Sequence, residues 1–485
     1  MTTRTQHIGA AAAVGDSVED ALPDKERVRD AAAQLAEAGV EYVLSCWVDL
    51  LGVPKTKPVP LSAFEELCAG KGPQFAVHSI SMVPELGPAD PDQISLPDLD
   101  TLTICPWDRR YAWMFADLYI GDSGKPYELC PRLALKRQID AATEAGYGFL
   151  FGFEPEFIVM RYTADGELRK AFDDDPSSPR GERLRRQAYG YDAEFSLDAM
   201  AFLGEVGDAL NELGWDLKDV VAEGAYSQFE LDFGPTDPLG AADRVVFLRT
   251  LLKQVAKQHG LFVTFMPKPT NGDWRSGAHI NHSIQPADDR DANLFKNGDG
   301  AWTTTALHAA GGILAHAEAL TALACPTVNS YKGLVAKVPG FEGGTVTWAP
   351  THVCYGENNR SAMLRFPQSR PAIENRAADL CTNPYLAVAM TIAASVEGVQ
   401  ESISPGPPVN TSLYDLTDAE RESSGIRRLP RNLLEAVEAF DADPLAKRVL
   451  GPTMHDSYSR YKHDEWHRFH THVADWETTE YMRFF

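Results

Sequence analysis

GFLFGFEPEFIVM, residues 148–160, is the stretch on which the fold turns. Read as an extended strand, it puts Phe149, Phe151, Phe153 and Phe157 on one face. Glu154 and Glu156 share the other, because side chains two apart point the same way. Leu150 and Ile158 bracket the glutamates, so their face is apolar at both ends and at least partly buried. Neighbouring carboxylates resist ionising together unless a cation lies between them. The strand therefore calls for balancing charge from elsewhere in the chain.

Outward from this strand, the chain alternates helix-like and strand-like segments. PRLALKRQIDAATEAG (131–146) precedes it as a helix stopped by glycine. DDDPSSPRGERLRRQ (173–187) reads as a charged loop, and DRVVFLRTLLKQVAKQHG (243–260) as a long helix. Towards the N-terminus, DKERVRDAAAQLAEAG (24–39) sets Val28, Ala31, Leu35 and Ala36 on one helical face, followed by the strand-like VEYVLSCWVDLLGV. Residues 1–22 read as a disordered tail, and SPGPPVN (404–410) as a rigid linker.

The chain has 485 residues, 44% of them hydrophobic and 24% charged, as in ordinary globular proteins. The net charge of −24 argues against nucleic acid and anionic membranes as partners. No apolar stretch is long enough to span a membrane. Seven dispersed cysteines without a CxxC pair fit a reducing cytoplasm and a role as small core residues.

There is no P-loop, GxGxxG, GxSxG or HExxH motif. Dispersed polar groups remain instead. AEGAYSQFELDF (222–233) carries Glu223, Gln228 and Glu230. RSGAHINHSI (275–284), as a strand, puts His279, Asn281 and Ser283 on one face and His282 on the other. NNRSAMLRFP (358–367) and SRPAIENR (369–376) contribute Arg360, Arg365, Arg370, Glu374 and Arg376. Glutamate oxygens suit Mg²⁺ or Mn²⁺, and one imidazole tilts a site towards Mn²⁺. Divalent cations with arginines are the equipment of phosphoryl transfer.

In this order, FGFEPEF, EGAYSQFE, FMPKPTNGDWRSGAH, CPTVNSYKGL, NNRSAMLRFP and ENRAADLCTNPYL resemble the glutamine synthetase family over residues 24–485. The C-terminal YKHDEWHRFHTHVADWETTEYMRFF is similar to the branch with γ-glutamylmethylamide synthetases and type III enzymes. The resemblance implies an α+β fold. A small β-grasp domain (23–122) would precede a large catalytic domain (123–485) with a curved antiparallel sheet. It implies ATP-dependent joining of the glutamate γ-carboxylate to ammonia or an organic amine through γ-glutamyl phosphate. Two or three Mg²⁺ or Mn²⁺ ions per site are implied too, as are dodecamers of two hexameric rings with active sites between subunits.

Carried onto this chain, the resemblance gives Glu156, Glu223 and Glu230 to the substrate-side ion, and Glu154, His279 and Glu374 to the ion on the ATP phosphates. Arg360, Arg365 and Arg370 match phosphate and nucleotide contacts, and Asn281 and Ser283 match ATP contacts. Arg376 matches the arginine directed at the γ-carboxylate. Asp49, from a neighbouring subunit, would bind and deprotonate the nitrogen nucleophile. Glu342 would sit on a flap that closes the site. Tyr191 and Gly277 fall at the substrate, and Trp47 could wall an amine pocket or serve the core.

Three departures fall mainly on the amino-acid pocket. Gly333 stands where the family usually has the arginine that grips the substrate α-carboxylate. Trp274-Arg275 replaces an Asn-Gly pair, and Arg370 stands four residues before Glu374 rather than two. Arg275 is the expected replacement for the missing arginine; otherwise it pairs with a structural acid. The reading is a glutamate–amine ligase, with an ammonia-using glutamine synthetase or a non-catalytic relative as alternatives.

Overall fold

A computed structural model describes residues 14–76, 89–172, 190–271, 274–338 and 345–485. Its organising element is the strand Tyr147–Tyr162, 16 residues long. Phe149, Phe151 and Phe153 are buried while Leu150, Gly152 and Glu154 are half-buried, the alternation a two-sided strand requires. From Pro155 to Met160 both faces are covered. Ala278–Pro286 pairs antiparallel along one edge and Gln228–Phe233 along the other. The sheet continues through Ile373–Asn375, Leu364–Phe366 and Tyr355–Glu357 on one side and Leu217–Ala222 on the other. Tyr355–Glu357 and Leu364–Phe366 run parallel; the other neighbours along this path run antiparallel.

Helices cover the phenylalanine side. Pro131–Glu144 begins with proline in its first turn, where a missing N–H costs nothing. Pro238–Gln258 is capped by Asp237, and both helices pack on the central strand. Pro384–Gln400, capped by Asn383, packs against these two and against Thr304–Ala315. His282 lies on this side, stacked on Phe149 and Phe151, and burial pushes its pKa down to about 3. It is a core histidine.

The N-terminal module is a five-stranded sheet in the order Pro54–Pro60, Tyr42–Val48, Tyr111–Ile120, Gln93–Pro97, with Thr103–Ile104 also on Tyr111–Ile120. Tyr42–Val48 and Tyr111–Ile120 run parallel. The helix Lys25–Glu37, capped by Asp24, turns Val28, Ala31 and Leu35 into a cluster with Val43, Val59, Phe64 and Leu67. The architecture is α+β, with the larger mixed sheet and its helices following the N-terminal module.

Two expectations need correcting or bounding. Part of the expected disordered tail is folded: Val18–Ala21 form a 3-10 turn, Val18 N–H donates to Gly124 O at 2.7 Å, and Val14 N–H donates to Asp140 at 3.2 Å. The charged loop 173–187 lies outside the described residues. All seven cysteines are free, six of them buried. Among the described residues, no helix is long and apolar enough to cross a membrane.

A buried ion network joins the two modules. Arg132 donates to Asp243 (3.1 and 3.0 Å), Asp117 (3.0 Å) and Asp98 (2.8 Å), while Lys136 donates to Asp117 (2.6 Å). Tyr385 completes it with a 2.6 Å bond to Asp243. Breaking a buried pair from one side leaves uncompensated charge and costs about 3–5 kcal/mol. Arg132→Ala should therefore lower stability to denaturant by that order. A loss under about 1 kcal/mol would show that the network is not what holds the modules together.

Candidate active site on the carboxylate face of the sheet

Register builds the site. His279 lies opposite Glu154, Asn281 opposite Glu374, Glu156 opposite Glu230, and Arg365 opposite Glu374. Each is a cross-strand pair whose side chains stand close on one face. Segments up to about 220 residues apart in sequence thus bring their polar groups together. His279 Nδ1 is 3.1 Å from Glu154 Oε2, and its Nε2 is 3.7 Å from Glu156 Oε1. Asn281 donates to Glu154 at 3.0 Å. Glu156 accepts from Gly277 N–H at 2.9 Å and from Gln228 at 3.0 Å. A Cβ at Gly277 would lie 3.0 Å from Glu156 Oε1 and 3.2 Å from His279 Nε2, so a side chain there would press on both.

Acidic repulsion is concentrated on one part of this face. Burial and the charges of Glu156, Glu154, Glu223 and Asp232 push the Glu230 carboxyl well up. Burial, with Glu156 and Glu154, pushes Glu223 up to about 7. Glu154 goes the other way: burial opposes its charge, but the hydrogen bond and charge of His279, with Arg370 and Arg376, hold it at about 2. Ligand atoms of Glu154, Glu230 and His279 lie within 4.8 Å of one another. Two carboxylates and an imidazole at this spacing are a donor set that fits Mg²⁺ or Mn²⁺, and a divalent cation would relieve the repulsion. This tightest group draws on both trios expected from the sequence.

Arginines occupy the adjoining part. Glu374, fully buried, accepts from Arg365 (2.8 Å), Arg370 (3.3 Å) and Arg376 (2.5 Å). Arg370 also donates to Glu154 (2.6 Å) and to Asn281 (2.8 Å). Both Glu374 oxygens thus serve guanidinium groups here, where the family resemblance gives this residue to an ion. Arg360 is exposed at the rim, its carbonyl accepting from Arg376 at 3.1 Å. Ser283 shares the strand face of His279 and Asn281 but is buried further along.

Residues 128–481 match the family profile of the glutamine synthetase catalytic domain. The chain belongs to the glutamine synthetase family. It is 37% identical to the glutamate–methylamine ligase of Methyloversatilis universalis, over 93% of this chain and 98% of that one. It is 34% identical to a glutamine synthetase of Rhizobium leguminosarum bv. phaseoli, over 92% and 98% of the two chains. A solved GmaS/ADP complex superposes with a TM-score of 0.82 at 32% identity, covering 93% of this chain and 99% of that chain. Members of this family are ATP-dependent ligases, and ATP and divalent cations are standard for them.

Not every expected residue joins the carboxylate face. Trp47 is a core residue: it is 3% exposed and stacks on Phe75 with ring centroids 3.9 Å apart. Tyr191 is 83% exposed, and its backbone N–H docks on Ala222 O next to Glu223. Asp49 is buried and accepts from the N–H groups of Leu51 and Val53, with Lys55 at 3.4 Å. Among the described residues, no hydrogen bond or ion pair links it to the glutamate cluster. Glu342 lies outside the described residues.

Arg275 also departs from expectation. Its guanidinium turns inward and donates to the carbonyls of Ala377 (2.8 Å) and Ala378. It is 7% exposed, and its charge draws down the buried Asp379, which burial otherwise raises. Nη2 is thus engaged by carbonyls inside the protein, while Nη1 is buried without a hydrogen-bond partner among the described residues. A Cβ at Gly333 would lie 2.5 Å from Arg275 Cβ, so Arg275 fills the space over the position where the family usually has arginine.

The structure also adds a residue the sequence reading passed over. Asp232 lies opposite Asp219, and burial with the charges of Glu154 and Asp219 pushes it up to about 7. Its signal was the same two-residue period that linked Glu154 and Glu156, continued from Glu230.

Proposed function

We propose that this protein joins the γ-carboxylate of glutamate to a small organic amine, with ATP, through γ-glutamyl phosphate. The observation that carries the reading is the single sheet face on which acidic donors and three arginines adjoin. The 37% identity to a glutamate–methylamine ligase over nearly the whole chain favours an amine over ammonia.

In this reading Glu154, Glu156, Glu223, Glu230 and His279 hold two or three divalent cations. Bound there, the cations would neutralise phosphate charge and polarise the oxygen being transferred to. Arg365, Arg370 and Arg376 receive phosphate oxygens, a role for which forked guanidinium donors are suited. Glu374 keeps these arginines aligned before ATP arrives. Gly277 and Gln228 fix the orientation of Glu156, and Asn281 does the same for Glu154.

An alkylammonium must lose a proton before it can attack, so a carboxylate has to meet it. Asp49 is the candidate, delivered by a neighbouring copy in a ring, because its own chain holds it away from the cluster. A dodecamer of two hexameric rings is the assembly proposed.

The test is phosphate release from ATP with glutamate and Mg²⁺ or Mn²⁺, across ammonia, methylamine, longer alkylamines, polyamines and anilines. The expected result is a higher kcat/KM with an organic amine than with ammonia. Turnover with ammonia alone would establish a glutamine synthetase instead, and no turnover with glutamate would end the reading.

A further inference from the structure

An aromatic side chain from a separate loop lies over Gly224, the residue that follows Glu223. The benzo edge of the Trp274 indole lies so close over Gly224 that a Cβ added there would fall among Cε3 and Cζ3. Only glycine admits the ring at this distance. Gln228 clamps the two loops together. Its Nε2 donates to Arg275 O at 2.9 Å, while its Oε1 accepts from Ala225 N–H at 3.2 Å. The same Nε2 reaches Glu156 at 3.0 Å, so the clamp is tied to the carboxylate cluster itself. On the other side of Trp274, Arg275 is anchored in the core by the Ala377 and Ala378 carbonyls. Trp274 is half-buried, and its Nε1 is buried without a partner among the described residues. A large, half-buried aromatic ring thus sits over the residue that follows Glu223, on backbone tied to the carboxylate cluster.

We propose that Trp274 is a specificity-determining wall that restricts the reacting acid to one unbranched at the carbon next to its activated carboxylate. The inference rests on the reading of the cluster as the place where glutamate is phosphorylated. The carboxylate must come to the cluster to meet ATP, so the wall beside Glu223 abuts the carbon that carries it. The indole lies against Gly224, and the clamp holds the backbone beside it in place. A methyl branch at C4 of glutamate would therefore meet the ring. One methyl or methylene in an apolar pocket is worth roughly 10–200-fold in kcat/KM.

The experiment compares kcat/KM for glutamate and for C4-methylated glutamate, with the preferred amine, in wild type and three variants. Wild type should favour glutamate by about 10-fold or more. Trp274→Ala should shrink that preference by about 10-fold. Gly224→Ala should shift it the same way without removing the indole, because the added methyl must displace the ring. Trp274→Phe should retain most of the preference, and the KM for ATP should stay within about 3-fold throughout, as expected if only the acid pocket changes. An unchanged preference in both Trp274→Ala and Gly224→Ala overturns the wall, as does a wild type that uses both acids equally. If Trp274→Ala does not fold, Gly224→Ala and Trp274→Phe decide. A wild type that turns over neither acid overturns the ligase reading itself, a result distinct from loss of selectivity in an active enzyme.

Discussion

Glu374→Ala is expected to abolish turnover, by about 10³-fold or more, and to destabilise the metal-free protein by about 3–5 kcal/mol. Glu374 is fully buried and receives Arg365, Arg370 and Arg376. Without it, Arg365 and Arg376, both nearly buried, lose their counter-charge and repel one another. Arg370 retains Glu154. The variant should therefore be rescued in part by anions: phosphate or ATP without metal should raise its Tm more than that of wild type. Glu374→Gln keeps the shape but not the charge, so it should fold better than the alanine variant and still be inactive. Denaturant melts and phosphate release check both parts. Near-normal activity in either variant would remove Glu374 from the site.

Glu230→Gln should separate stability from function. Glu230 faces Glu156 across the sheet, amid Glu154, Glu223 and Asp232, and its carboxyl is held well above the usual range. A group whose folded pKa is raised contributes stability that is fully present below its unfolded value, about 4.3, and lost as pH rises through the folded value. Glu223, raised to about 7, acts in the same direction. Metal-free wild type should thus lose stability between pH 4 and 8 through these groups. A divalent cation should restore that loss. In Glu230→Gln the repulsion at this position is gone, so the metal-free variant should be at least as stable as wild type at pH 8. It should also lose most of the Mn²⁺-dependent rise in Tm and nearly all turnover. Melting at pH 6 and 8, with EDTA or with Mn²⁺, reads all of this. An undiminished Mn²⁺ response in Glu230→Gln would show that the cation binds elsewhere.

What the sequence reveals is local. The alternation of 148–160 is enough to separate the phenylalanine face from Glu154 and Glu156, and the same period puts His279 and Asn281 opposite His282. The structure keeps each of these separations. The helix 25–37 is legible from its apolar spacing. Register between distant strands is not local. Nothing near Glu230 says that it will face Glu156, or near Arg370 that it will reach Glu154. The same limit explains Trp47. Its position two before Asp49 suggests a pocket, but a stacking partner 28 positions away in sequence makes it core. It also explains Arg275 and Gly333, whose exchange of volume is visible only once two loops are side by side. The family resemblance supplied roles for individual residues. Which atoms approach one another is a property of the packed sheet.

One sheet face, assembled by register from five strands, is thus read as a divalent cation centre. Mn²⁺ titration followed by the EPR signal of free Mn²⁺ tests it most directly, in wild type and in Glu154→Gln combined with Glu230→Gln. Wild type should take up at least two ions per chain, and the double variant should lose at least one and bind the rest more weakly. Equal stoichiometry and affinity in the two proteins would contradict the account.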